Sequence, residues 1–441
     1  MLQTFKNAFQ SHEIRRKMLF TLALVFIYRI GCYVPIPGLD VQAMGLTNLM
    51  QDVDFMRMLS AITGNAFQNG TLFALGIVPF INSFIIMQLL TLIVPKLEKL
   101  SKEGEDGRKK ITQYTRYMAI LLGMIQAIGI MFAWESAILP VFGASQASKI
   151  FTMIFIIIIL TGGSSLVMWL GERITEYGIG NGTSLIIFVG ITSSLGRTLL
   201  DAMTISIPEQ VGQQDYTGVW FLFAFIVLII VLFFFIVFVD MADRKIGVQY
   251  AKQIKGNKMY GGQSTHIPIK VNASGVMPII FASSLIMFPQ MIIQFANLGT
   301  TGFGLWWSEW MGADGHLYAP VTFVLIIFFA YFYAQIQFNP DDVAKMLQQN
   351  GGFVPGIRPG KSTSDHLRKI NNRLTLFGAL FLSMVALIPT LLLQQIDGFS
   401  SIGVNTAFSA TSLLIAVSVA LELQKQLESQ LLVKNNKGFL K

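Results

Sequence analysis

Charge is scarce in this chain. Only 13% of its 441 residues are Asp, Glu, Lys or Arg, about half the share of a soluble globular domain, too few to cover a water-facing surface. Cysteine is scarcer still. Cys32 stands alone, which excludes an internal disulfide and any cysteine-based metal cluster. The four histidines, His12, His266, His316 and His366, are scattered singly outside the apolar stretches, and no His-Glu-x-x-His occurs. Intramembrane chemistry would need a zinc motif, a Ser–His dyad or paired carboxylates. No catalytic, cofactor or metal site is therefore expected. A cleavable signal is not expected either, because Met1 to Lys17 is polar and no small-residue cleavage site precedes a short apolar core.

Apolar residues fill the space that charge leaves. They make up 53% of the chain, with a mean hydropathy of +0.59. At about 20 apolar residues per crossing, the length allows up to about ten crossings plus loops. Ten apolar stretches can be read. The first five are Leu19–Val34, Leu72–Val94, Tyr117–Trp134, Ile150–Leu170 and Thr183–Leu200. The second five are Val219–Val239, Val271–Phe295, Val321–Phe338, Leu374–Leu393 and Val404–Leu421. Each suits a helix that satisfies its own backbone hydrogen bonds in lipid. The expected fold class is an all-α polytopic membrane protein.

The net charge of +8 and pI near 9.4 would raise nucleic acid as a partner in a soluble protein. Here they reflect orientation. Twenty-eight of the 32 basic residues fall on one side of the ten stretches. The other side holds Arg57, Lys149 and Arg197 against an excess of carboxylates, and Arg29 lies within the first stretch. Both termini are therefore expected in the cytoplasm. The chain divides into an N-terminal segment (1–17), a first half (18–201), an outer loop (202–218) and a second half (219–423). The second half carries basic loops near 240–270 and 339–373, and a tail (424–441) follows.

Two local features stand out. Phe55 to Phe67 is half apolar and too short to cross; it is either a surface amphipathic helix or a segment at membrane depth shielded by protein. There is also a weak internal repeat. Leu75-Gly76-Ile77-Val78-Pro79-Phe80-Ile81 opens the second stretch and Ser274-Gly275-Val276-Met277-Pro278-Ile279-Ile280 opens the seventh. Five spans on each side would place the copies in opposite orientations, the pattern that builds a central pathway between inverted repeats.

The most specific string is Trp169-Leu170-Gly171-Glu172-Arg173-Ile174-Thr175-Glu176-Tyr177-Gly178-Ile179-Gly180-Asn181-Gly182. Its alternating glycines permit a tight return between spans four and five, and its spacing fits neither phosphate-binding fingerprint. This string closely resembles the signature of the SecY family, the pore subunits of the bacterial protein-conducting channel. The resemblance runs through Tyr28–Gly31, Pro35–Gly38, Phe73–Ile77, Glu103–Arg108, Gln113–Tyr117, Gln263–His266 and Phe353–Gly360, essentially the whole chain.

The resemblance implies two inverted five-helix halves around an hourglass pore. A ring of aliphatic side chains would form the waist, at positions matching Ile77, Ile81, Thr183, Ile187, Ile280 and Ile415. Thr183 stands where a larger aliphatic is common, which implies a less dry seal there. Phe55, Met56, Met58, Leu59, Ile62 and Phe67 would belong to a re-entrant plug, about 53–69. Pro79, Asn82 and Gln88 in span two and Pro278 and Phe288 in span seven would flank a lateral gate. Lys252, Lys258 and Arg358 would dock SecA or the ribosome, with Asn257 replacing a frequent basic residue. SecE and SecG would be further partners, in the bacterial cytoplasmic membrane. Taken one residue at a time, plain readings compete. Isoleucines in spans are mostly lipid or core contacts, Asn82 and Gln88 could be interhelical hydrogen-bonding groups worth about 1 kcal/mol, and most cytoplasmic Lys and Arg set orientation. Arg29 calls for snorkelling or a carboxylate partner, since a charge at the bilayer centre costs about 2.5–3.5 kcal/mol.

A secondary transporter built on an inverted repeat is the alternative. Coupled carriers place ionisable groups near the midplane, and the middle of these spans holds almost none.

Overall fold

The computed structural model describes residues 9–40, 60, 62–134, 137–139, 146–201, 203–204, 216–250, 253–255, 258–260, 264–272, 274–295, 301–312, 315–395 and 410–438. Ten helices occupy the ten apolar stretches. They are α1 (His12–Gly31), α2 (Val78–Ile93), α4 (Glu105–Ala133), α5 (Gln146–Tyr177), α6 (Gly182–Asp201), α7 (Thr217–Asp240), α8 (Met277–Phe295), α10 (Tyr318–Gln337), α12 (Lys361–Gln395) and α13 (Ala410–Gly438). Among the described residues, three shorter helices, α3 (Pro95–Lys102), α9 (Gly302–Met311) and α11 (Pro340–Gln349), lie between them. Among the described residues, six helices qualify as spans by length and composition alone, and the bent α2–α3 pair makes a seventh. Helix α1 falls short of that test because basic residues open it and Arg29 closes it, and α13 because its second half is polar.

The second span differs from its expected form. Leu72 to Ile77 is a run of turns, and the helix begins only at Val78. Gly76 adopts φ +54 and Pro79 occupies the first helical turn, so the chain enters α2 through a sharp turn. Residues 73–77 are buried, with Leu72 N–H donating to Val34 O at 2.9 Å and Gly76 N–H to Phe73 O at 2.9 Å. The remaining 16 residues of α2 rise about 24 Å. At its far end the axis turns by 100° at Val94–Pro95 into α3, where proline removes a helical donor.

The internal repeat is real in backbone terms. Gly275 takes φ +61, like Gly76, and Pro278 is the second residue of α8 as Pro79 is of α2. The first turns match bond for bond. Phe80 and Ile81 N–H donate to Ile77 O, and Ile279 and Ile280 N–H donate to Val276 O.

Most helix contacts fall within a half, while the apolar clusters also draw residues from across. In the first half α2 packs on α4, α4 on α5, α5 on α6 and α1 on α5; in the second, α8 and α12 both flank α10, and α7 lies against α13. Contacts between α8 and α4, and between α13 and α6, join the halves. Both α12 and α13 run well beyond their apolar stretches, so the tail from 424 to Gly438 continues as helix.

The basic loops are more ordered than loops. Strand β1 (Asp243–Tyr250) pairs antiparallel with β4 (Ser264–Lys270) and with β5 (Gly352–Phe353), giving the order β4-β1-β5. Between them β2 (Gln253–Lys255) and β3 (Lys258–Tyr260) form a small hairpin. In β1, Ile246 and Val248 are buried and their neighbours exposed, the period-two pattern of a half-buried strand. Ile246, Val248, Ile269, Leu347, Val354 and Leu367 make a compact apolar core under this platform.

Candidate functional site

Three places collect the expected functional residues: an apolar cluster where the halves meet, termed the waist, the turn packed against it, termed the covering turn, and the basic platform.

The waist draws on four helices from both halves. Ile77, Ile187 and Ile415 are buried in one apolar cluster with Ile186, Leu185 and Ile191, and Ile81 and Ile280 pack against it. Ile77 caps the start of α2 and Ile81 lies one turn on, so both follow from the sharp entry at Gly76. Their repeat partner Ile280 lies one turn into α8. Thr183 sits beside them. Its Cγ2 and the Cδ1 of Ile77 both border Gly171 of α5, within about 3.5 Å of where a Cβ would stand. The Thr183 hydroxyl donates to Asn181 Oδ1 at 2.6 Å, so its methyl group is what faces Gly171. Asn181 also accepts from Thr183 N–H at 3.1 Å, capping α6. Gly182 is pressed so close to Gly171 O that a Cβ would stand 1.9 Å from it. The glycine string thus sets the spacing of α5 and α6 under the waist.

The covering turn is the described part of the short apolar segment. Ser60, Ile62 and Thr63 are helical, and Gly64 to Gly70 is a chain of turns. A re-entrant helix reaching Phe67 is therefore corrected: it stops at Thr63, because Gly64 (φ +64) and Asn65 (φ +68) both adopt left-handed backbone. Asn65 N–H donates to Ser60 O at 2.8 Å, and Thr71 N–H to Ala66 O at 3.2 Å. Phe67 is fully buried against Trp134, ring centroids 5.2 Å apart. Ile62 packs against both the waist cluster and the Phe67–Trp134 cluster. Phe55, Met56, Met58 and Leu59 lie outside the described residues.

Arg29 reaches this turn from α1. Its Nη2 donates to Ser193 Oγ of α6 at 2.5 Å and to Tyr33 Oη at 3.3 Å, and its guanidinium lies 5.5 Å from the Tyr33 ring centroid. Of the two expectations for Arg29, snorkelling or a carboxylate partner, the second is not met among the described residues, where no carboxylate pairs with it. A hydroxyl and an aromatic face hold the charge instead.

Around α2 and α8 the polar groups are few. Asn82 is buried, and Gln88 Oε1 is buried with no hydrogen-bond partner. Ser83 Oγ donates to Thr115 O at 2.6 Å, tying α2 to α4. Phe288 of α8 packs on the first half, against the cluster of Ile36, Phe67 and Trp134. Ile85 of α2 conversely belongs to the second half's core with Phe225, Phe281 and Phe329.

On the platform, Arg358 occupies a tight turn between Pro355 and Pro359. Gly356 (φ +83) and Gly360 (φ +95) hold the turn in conformations that favour glycine. Val354 and Ile357 anchor it in the platform core, and Thr363 Oγ1 donates to Arg358 O at 2.8 Å. The Arg358 side chain is left exposed. Below the turn, Asn339 caps α11 by accepting from Asp341 N–H at 3.1 Å, and Arg368 pairs with Asp341 at 2.9 Å. The hydrogen bond from the Ser364 hydroxyl, aided by the charges of Arg368 and Lys345, holds the Asp341 carboxyl below its ordinary range. Lys258 lies in β3, and Lys252 and Asn257 lie outside the described residues.

The SecY family model matches residues 71–424. The chain belongs to the SecY family. Protein translocase subunit SecY of Streptomyces galbus is 41% identical over 457 residues, and that of Mycobacterium tuberculosis 42% over 456, each covering all of both chains. Among solved structures, a protein-conducting channel covers 94% of this chain and 91% of its own, at TM-score 0.65 and 19% identity. A SecY whose plug domain is described as stabilising the closed state and maintaining a membrane seal has TM-score 0.60 at 18% identity, over 94% and 91%. Sec61 of a canine ribosome–channel complex has TM-score 0.58 at 17% identity, over the same shares. A SecY-family chain is a polytopic all-α channel subunit of a protein translocase, not an enzyme, and the secondary-transporter alternative finds no support among these relatives.

Sequence reasoning missed three contributors: the strands of the platform, Ser193 as the partner of Arg29, and Gly190, which touches the covering turn. A glycine inside an otherwise apolar helix was the available signal for the last.

Proposed function

We propose that this channel closes at the ring of Ile77, Ile81, Thr183, Ile187, Ile280 and Ile415. β-Branched aliphatics at a constriction exclude water and ions, yet yield around a passing chain. The observation that carries this reading is the single apolar cluster in which α2, α6, α8 and α13 meet. The segment 53–69, with Phe55, Met56, Met58, Leu59, Ile62 and Phe67, is the plug over that ring. Spans α2 and α8 part as the lateral gate, with Pro79, Asn82, Gln88, Pro278 and Phe288 along it, so that hydrophobic segments reach lipid. The basic platform faces the cytoplasm, as do both termini, in the bacterial cytoplasmic membrane. Lys252, Lys258 and Arg358 dock SecA or the ribosome there. SecE clamps the halves and SecG attaches peripherally.

Site-specific photo-crosslinking to a stalled secretory polypeptide tests the ring. Crosslinkers at Ile187 and Ile280 are expected to capture the chain, while one at Phe234, 69% exposed on α7, is not. Equal capture at all three positions, or none at the two isoleucines, overturns the assignment.

A further inference from the structure

The plug turn meets the channel wall backbone to backbone. At Gly190 of α6 an added Cβ would stand 2.2 Å from Ile62 O and 3.4 Å from Gly64 N. From the other side, an added Cβ on Gly64 would stand 2.6 Å from Arg29 Nη1 and 3.1 Å from both Gly190 Cα and Gly190 O. Gly64 also holds φ +64, which a side chain would strain. The turn is therefore wedged between a bare patch of α6 and the guanidinium of α1. That guanidinium is itself fixed to α6 through Ser193, and its Nη1, on the Gly64 side, is buried with no hydrogen-bond partner. A charged donor kept unpaired in a span is unusual, since intramembrane arginine generally faces a functional cavity or a partner.

We infer that Arg29, Gly64 and Gly190 form the seat that sets the plug's resting position, with Arg29 as its positioning residue. This rests on the plug reading above. Two close backbones give the seat its shape, because any side chain at position 64 or 190 must lift the turn. Arg29 braces the turn laterally by joining α1 to α6 at that level. When the turn leaves, Nη1 is uncovered and the seat becomes a polar ledge on the outer funnel wall. Cys32 reports on the same contact, since its Sγ lies 4.0 Å from Thr63 O and the residue is 1% exposed.

The test uses the full chain reconstituted with its partner subunits. Two readouts are taken without substrate: ion conductance across planar bilayers, and labelling of Cys32, the only cysteine, by a membrane-impermeant thiol reagent. Gly190→Ala and Arg29→Met are expected to raise both severalfold, and Arg29→Lys to raise them less. Gly196→Ala, in the same helix with nothing within 4 Å of its Cβ position, is expected to match the parent, as a general helix effect would not predict. Motor-driven transport should persist in each variant. If a variant folds poorly, Cys32 labelling of its folded fraction still reports the seat. Deleting 60–70 separates the two ideas. Should the deletion leak while Gly190→Ala and Arg29→Met stay at parent level in both readouts, the seat is wrong and the plug stands. A deletion that does not leak removes the plug and the seat together.

Discussion

The waist and the basic platform achieve order by opposite means. At the waist almost nothing is charged. Its geometry comes from glycines that let backbones touch, Gly182 against Gly171 O within it and Gly190 against Ile62 O where the covering turn meets it, and from isoleucines that fill what remains. The platform carries charge throughout, and a small apolar core under β1, β4 and β5 holds that charge still. The waist is thus a matter of shape, sensitive to a single methyl group, whereas the platform is a matter of charge on a stiff support. Small-residue contacts suit a site buried in lipid, where close packing replaces the hydrophobic drive that water supplies. An exposed guanidinium on a proline-bounded turn suits recognition of carboxylates or phosphates, for which its planar fork is pre-organised.

If that division holds, damage to one region should leave the other's property untouched. The largest effect is expected from Arg358→Glu. Reversing the charge should lower motor-driven transport into vesicles by on the order of tenfold or more, with resting conductance and membrane insertion unchanged. Transport near the parent level would remove Arg358 from docking. A smaller effect is expected from acid. Because Asp341 titrates below its unfolded value, its contribution to holding α11 on α12 is complete above about pH 4, the ordinary carboxyl range. That contribution is lost as pH falls through the lowered value. The protection of α11 amides, taken relative to their intrinsic exchange rate at each pH, should therefore fall below about pH 4, and Asp341→Asn should abolish that step. The pair with Arg368 is half exposed, so the change should be modest. An α11 whose protection relative to the intrinsic rate is the same at all pH values, with or without Asp341, would show that the carboxylate does not hold it.

Much of this architecture was legible in the sequence, for identifiable reasons. Apolar length marked the spans because lipid forbids unsatisfied backbone. The repeat at Gly76–Ile81 and Gly275–Ile280 was visible because left-handed backbone and a first-turn proline each demand one residue type. The turn from Leu72 to Ile77 was not visible, since an apolar run reads the same whether helical or folded into buried turns. Strands β1 and β4 were hidden for a related reason: among the described residues of these eight- and seven-residue segments, only Ile246 and Val248 in β1 and Ile269 in β4 are buried. The partnership of Arg29 with Ser193 spans 164 positions, and a serine in a helix carries no mark of what it will meet. Likewise Gly190 is one of 39 glycines, and only the approach of Ile62 O distinguishes it.

The most direct measurement is resting ion conductance of the channel carrying Ile81→Gly, Ile187→Gly and Ile280→Gly together, in planar bilayers without substrate. A waist closed by aliphatic shape should leak at rest, with Arg358-dependent transport retained. Conductance indistinguishable from the parent would contradict it and place the seal elsewhere in the molecule.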